Sequence, residues 1–109
     1  MLEFIRRFFD KGLLGGQRSS QWPQIRKEFL KHNDTCAACG RKKGLLKPLE
    51  VHHVIPYHKS KSLELKKTNL IVLCKEHHFF CGHLMDWQSW NEDVRFDCAE
   101  WKDKINRRP

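Results

Sequence analysis

Residues 49–56 read Leu49-Glu50-Val51-His52-His53-Val54-Ile55-Pro56, and residues 70–78 read Leu70-Ile71-Val72-Leu73-Cys74-Lys75-Glu76-His77-His78. The apolar positions Leu49, Val51 and Val54 predict a short strand that His52 and His53 close. Leu70 to Leu73 is a brief apolar run that fits a second strand or a buried turn. A helix is expected from about Lys75, carrying His77, His78 and Phe79 to Leu84. Two short strands followed by a helix, with further helices on either side, make this an α+β chain.

Around these segments lie two half-sites with metal-ligand spacing, Cys36-Ala-Ala-Cys39 and Cys74-Lys-Glu-His77. Each pair can offer both side chains to one tetrahedral ion from a tight turn, which suits a structural Zn2+. Positions 40–73 separate the halves, 34 residues in all, so a substantial insert hangs between them. An ion bound by Cys36, Cys39, Cys74 and His77 would fix the geometry of that insert. Cys81 is an alternative to His77 as the fourth ligand, and Cys98 is expected to be a packed thiol.

After four ligands are assigned to zinc, His52, His53, His78 and His83 remain in the same region, with Asn69 just before the second apolar run. Neutral imidazole near pH 7 can act as a base or as a metal ligand. Phosphodiester hydrolysis needs both: a base to activate water, and a cation to neutralise charge on the transition state. An amide side chain can fix the tautomer of the base.

Outward from this centre, Gly15 to Ser20 reads as a linker, with Ser20 a helix start and Pro23 tolerated in the first turn. Trp22, Ile25 and Phe29 form one face of a helix to about Lys31, with Arg26, Lys27 and Lys31 facing outward. Asn91 is expected to cap a last helix, with Glu92 and Asp93 in its first turn. Phe96 or Val94, Trp101 and Ile105 would form its apolar face. Trp87 and Trp90, three apart, are expected to clamp that helix to the core, with base stacking as their alternative use. Two units follow: residues 1–19 as an amphipathic arm and linker, and residues 20–109 as the functional domain. Residues 1–14 are too short and too charged to span a bilayer, leaving weak contact with a membrane surface or a protein as their expected external role.

The chain has 109 residues and is 39% apolar, so one thin core is expected, for which a metal would help. Lysine and arginine number 21 against 13 acids, a net charge of +8 that favours a polyanionic partner. The basic runs Arg41, Lys42, Lys43 and Lys59, Lys61, Lys66, Lys67 are candidate phosphate contacts. Five cysteines, an odd number set close to histidines, argue for a metal site in a reducing compartment rather than a disulfide framework. No cleavable signal is evident, so a cytoplasmic location, in a bacterial or phage-infected cell, is expected.

The run from Cys36-Ala-Ala-Cys39-Gly40 through Leu49 to Pro56, Thr68 to Cys74, and His77-His78 resembles the HNH endonucleases. The tail from Gly82 to Asn91 is similar to a phage and bacterial subgroup of them. The resemblance implies a ββα-metal fold, a zinc-stapled core with flanking helices, and metal-dependent hydrolysis of DNA leaving a 5′-phosphate and a 3′-hydroxyl. By position it makes His53 the general base and Asn69 the residue that orients it. It makes His52 and His78 ligands of a catalytic divalent cation (Mg2+, Mn2+ or another transition metal), with His83 a further ligand or phosphate contact. The family commonly has cysteine where His77 stands, a change zinc accepts. The expected partner is DNA, cut on one or both strands with weak sequence preference, and no small-molecule cofactor is expected. A non-catalytic zinc module that binds DNA or protein is the alternative, although a binder has no use for a positioned base.

Overall fold

A computed structural model of the chain describes residues 19–44 and 48–108. The expected arm, residues 1–14, and its proposed membrane or protein contact lie outside the described residues. Among the described residues, no helix is long and apolar enough to cross a membrane.

The sheet has two antiparallel strands, β1 (Leu49–His53) and β2 (Leu70–Cys74), in the register Leu49 with Cys74 and His53 with Leu70. All five residues of β2 are buried, so this strand is covered on both faces. That explains why its sequence is continuously apolar rather than alternating. Cys36, Ala38, Leu49, Ile71, Val72, Leu73, Cys74, Cys81, Val94 and Cys98 form the core. Four of the ten in this cluster of the described residues are cysteines, which are small side chains.

Helix α1 (Trp22–His32) has no fully buried residue, but Trp22, Ile25, Phe29 and Leu30 are half-buried along one side, as the spacing predicts. Ser20 does not cap it: the side chain of Ser19 accepts the Gln21 N–H at 3.1 Å, one turn position earlier.

The helix expected from Lys75 to Leu84 is shorter and of mixed type. One α-turn, α2 (Lys75–His77), passes directly into a π-turn over His78–Gly82. The chain then reverses through Leu84 and Met85, both at positive φ of 55° and 65°. Helix α3 (Val94–Asn106) closes the fold. Asn91 stands in the turn before α3, where its side-chain oxygen accepts the Asp93 N–H at 3.0 Å and its amide donates to Cys81 O and Asp97. Val94 and Cys98 face inward, whereas Phe96 and Trp101 are exposed. Val94 rather than Phe96 therefore fills the core position.

The two tryptophans do not lie together on a helix. Residues 86–90 form a loop rather than a helical face, so a spacing of three does not put Trp87 and Trp90 on one side.

Candidate metal centre and active site

Cys36, Cys39, Cys74 and His77 converge into one cluster. The first half-site is a tight knuckle: Cys36 N–H donates to Arg41 O at 2.9 Å and Gly40 N–H to Cys36 O at 2.8 Å. Gly40 takes φ 74°, which a side chain would resist. Ala37 N–H donates to Val72 O, tying the knuckle to β2. The second half-site is the end of β2 and the first turn of α2. The His77 Nδ1 lies 3.2 Å from Cys74 Sγ and 3.9 Å from Cys36 Sγ, and the Cys39 and Cys74 sulfurs are 4.0 Å apart. Ligands of a tetrahedral zinc stand about 3.5–3.8 Å from one another, so these separations bracket the required edges.

The charges fit as well. Burial opposes ionisation of Cys36, yet backbone N–H groups at Cys74, Cys39 and Ala38 bring that thiol below its ordinary value. Burial, backed by the neighbouring thiols, pushes Cys74 up to about 12. Cys81 is not in this cluster; it is buried beside Cys98, where the two thiols meet.

A second cluster gathers His52, His78 and His83. The ring centroids are 5.0 Å apart for His52 and His78, 4.9 Å for His52 and His83, and 4.9 Å for His78 and His83. Strand alternation places Glu50 and His52 on the same face of β1. The His78 Nδ1 donates to Glu50 Oε1 at 3.1 Å, and the His83 Nδ1 donates to Ser89 O at 2.7 Å. Both rings therefore keep the lone pair on Nε2. The remaining member, His52, is 3% exposed, and its Nε2 is buried with no hydrogen-bond partner. Such an atom is expensive to bury. A cation in the pocket would satisfy it, and three neutral imidazoles with one carboxylate behind them suit a divalent transition metal.

The π-turn explains how His78 and His83 share the pocket. Five residues along an α-helix leave two side chains about 140° out of line. The wider turn, closed by His83 N–H donating to His78 O at 3.1 Å, restores their common face. Gly82 sits where a Cβ would lie 3.1–3.2 Å from the His52 ring, so a side chain there would have to push the ring or the turn back by a few tenths of an ångström. Burial lowers His52 to about 3, helped by the nearby His78, His83 and His53. Burial also lowers His78 against the pull of Glu50, and His83 against the Ser89 carbonyl. All three are neutral at pH 7, the form that binds metal.

His53 turns to the other face of β1. Its Nε2 donates to Glu64 O at 2.9 Å, and its ring packs 4.4 Å from that of Trp22 in α1. A carbonyl accepts only, so the proton sits on Nε2 and Nδ1 is the basic nitrogen. Asn69 is buried, and its side chain is directed at the loop: Oδ1 accepts Ile55 N–H at 2.8 Å, and Nδ2 donates to Ile55 O at 3.0 Å and Leu63 O at 3.1 Å. Instead of gripping the imidazole, as the resemblance implies, it pins both ends of the loop whose next carbonyl, Glu64 O, holds His53.

The residues of both basic runs are exposed. Arg41 also faces Glu76 at 3.4 Å, and Lys59 Nζ lies 5.2 Å over the Trp90 ring.

The HNH endonuclease family model matches residues 36–78. That segment is similar to the HNH endonucleases over 43 of the 109 residues. The match runs from the first zinc-type cysteine to His78, so it contains both half-sites, the His52-His53 pair and Asn69. The matched family is one of nucleases in general, and the fold is the mixed one expected, a two-stranded antiparallel sheet with helices. His83, Ser89 and Trp87 lie beyond the matched segment. No curated protein and no solved structure matches the chain.

Sequence reasoning missed Glu50, Gly82 and the Glu64 carbonyl. Glu50 had a signal, since its position two residues before His52 places it on the same face of the strand. Gly82 and Glu64 had none, because they act through backbone geometry.

Proposed function

We propose that the chain is a metal-dependent endonuclease that hydrolyses DNA phosphodiester bonds, by nicking or double-strand cleavage, with weak sequence preference. The observation that carries this reading is the buried, unpartnered Nε2 of His52 facing His78 and His83. In this reading Cys36, Cys39, Cys74 and His77 bind a structural zinc that holds β2 and the knuckle together. His52, His78 and His83 would hold a catalytic Mg2+, Mn2+ or similar ion. When bound, such an ion neutralises charge on the attacked phosphate.

The chain's own groups supply the rest. His53 Nδ1 takes a proton from the attacking water, and Glu64 O fixes the ring and stabilises the imidazolium that forms. Asn69 keeps the loop that presents this carbonyl in place. Neighbours on a strand point to opposite faces, so the phosphate is set past the end of β1, where both His52 and His53 can address it. Lys59, Lys61, Lys66 and Lys67, with Arg41, Lys42 and Lys43, grip flanking phosphates.

Nicking of supercoiled plasmid in Mg2+ or Mn2+ tests this. Conversion by the wild type and its loss in His53→Ala, with circular dichroism and zinc content unchanged, supports the reading. Equal nicking by both proteins would refute it.

A further inference from the structure

Trp87 stands against the three-histidine pocket with half its surface open. Its ring centroid lies 4.8 Å from that of His83, 5.4 Å from that of His78 and 4.9 Å from that of Phe79. It remains 50% exposed. Tryptophan is usually well covered, so an open indole beside candidate metal ligands is notable for its available π-face.

The same loop reaches the lysine-rich segment. Trp90 meets His58 edge-on at 5.5 Å and carries Lys59 Nζ 5.2 Å over its ring. Between the two tryptophans, Ser89 O accepts the His83 Nδ1–H. Residues 86–90 thus connect the pocket to the cationic loop and present an aromatic ring toward each.

Backbone strain holds the loop there. Leu84 and Met85 are exposed apolar residues at positive φ, fixed by Met85 N–H to Phe79 O at 2.9 Å and Asp86 N–H to His83 O at 3.0 Å. Left-handed non-glycine residues persist only where the surrounding fold imposes them, and they cluster at functional sites. Here they fold residues 86–90 back over the histidines.

We propose that Trp87 and Trp90 form a stacking platform for unpaired bases, so that the preferred substrate is DNA whose strand is single beside the scissile phosphate. Proteins that hold single strands combine a cationic track with aromatic rings on which successive bases stack. In an intact duplex those base faces are occupied by neighbouring bases. A base stacked on Trp87 would stand next to His78 and His83, and one stacked on Trp90 next to Lys59. This inference rests on the nuclease reading above and names the form of DNA that site takes.

The test compares one short oligonucleotide as a single strand and as a duplex, with zinc-loaded protein and Mn2+. The single strand is expected to be cut with at least about ten-fold higher kcat/KM. Trp87→Leu, which keeps an apolar wall over His78 and His83 but cannot stack well, should raise KM for the single strand about ten-fold and for the duplex less than about three-fold. Trp87→Phe should restore most of the preference, and Trp90→Leu should weaken it. A second readout needs no cleavage: with no Mn2+ or Mg2+ added, oligothymidine should quench tryptophan fluorescence in the wild type, and much less in Trp87→Leu. Equal rates on both forms, or equal losses on both in Trp87→Leu, would overturn the platform while leaving the nuclease standing. Trp87-dependent quenching by a protein that cuts neither form would overturn the nuclease reading instead.

Discussion

The Nε2 of His53 donates to the backbone carbonyl of Glu64 at 2.9 Å, which leaves Nδ1 as the basic nitrogen. The carbonyl belongs to the main chain, so no side-chain change at Glu64 removes it, and the imidazole is the vulnerable partner. Replacing His53 with alanine is expected to lower the cleavage rate about 10²–10⁴-fold, the usual range for losing a general base. Single-turnover cleavage at saturating DNA measures this, with DNA affinity little changed.

Asn69→Ala deletes three side-chain hydrogen bonds to Ile55 and Leu63 in a buried setting. At about 1 kcal/mol net each, a loss of about 2–4 kcal/mol in stability is expected. The loop carrying Glu64 O then loosens, so rate should fall more than DNA affinity. Urea denaturation and a binding titration read the two effects separately, and an affinity-only defect would contradict the role.

Gly82→Ala would place a methyl group 3.1–3.2 Å from the His52 ring. That contact is too close, so ring or turn must move. The expected result is weaker binding of the second metal, with the zinc cluster intact. Isothermal titration with Mn2+ on zinc-loaded protein checks it.

Acid should destabilise the fold. His52 stays neutral in the folded chain down to about 3, while the unfolded chain protonates near 6.5. The unfolded state therefore binds more protons in that window, and stability falls as pH drops from 6.5 toward 3. His78, His83 and His77 are lowered too and act in the same direction. Each such histidine contributes a slope of up to about 1.4 kcal/mol per pH unit. Denaturation midpoints measured between pH 7.5 and 5.5 should decline, and less steeply in His52→Gln.

Much of the fold was legible because its signals are local. The buried β2 shows as a continuous apolar run, and the two knuckles show as fixed cysteine and histidine spacings that bring Cys36, Cys39, Cys74 and His77 together. The grouping of His52, His78 and His83 was also anticipated, though through likeness to a family rather than from spacing. What hid was anything set by backbone detail. The π-turn that aligns His78 with His83 has no compositional mark, and the left-handed Leu84 and Met85 carry none of the glycine or asparagine that advertises such a bend. For the same reason Trp87 and Trp90 read as a helical pair when a loop separates them. Asn69 was understood as a partner of an imidazole, because a sequence does not reveal which of several nearby backbone groups an amide will choose.

Chelator treatment that strips zinc should unfold the chain, because Cys36, Cys74, Cys81 and Cys98 make up much of the buried cluster among the described residues and leave little apolar burial to replace the ion. Removing only the weaker second metal should silence cleavage and leave the circular dichroism unchanged. A zinc-free chain as stable as the loaded one would count against the staple.

The central claim is that one pocket holds a cation and a separate imidazole supplies the base. The most direct measurement is the cleavage rate of zinc-loaded protein as a function of Mn2+ concentration, in the wild type, His78→Ala and His53→Ala. The expected result is a higher half-saturating Mn2+ concentration in His78→Ala, and in His53→Ala a collapsed maximal rate at an unchanged half-saturating concentration. Identical curves for wild type and His78→Ala, or full activity in His53→Ala, would contradict it.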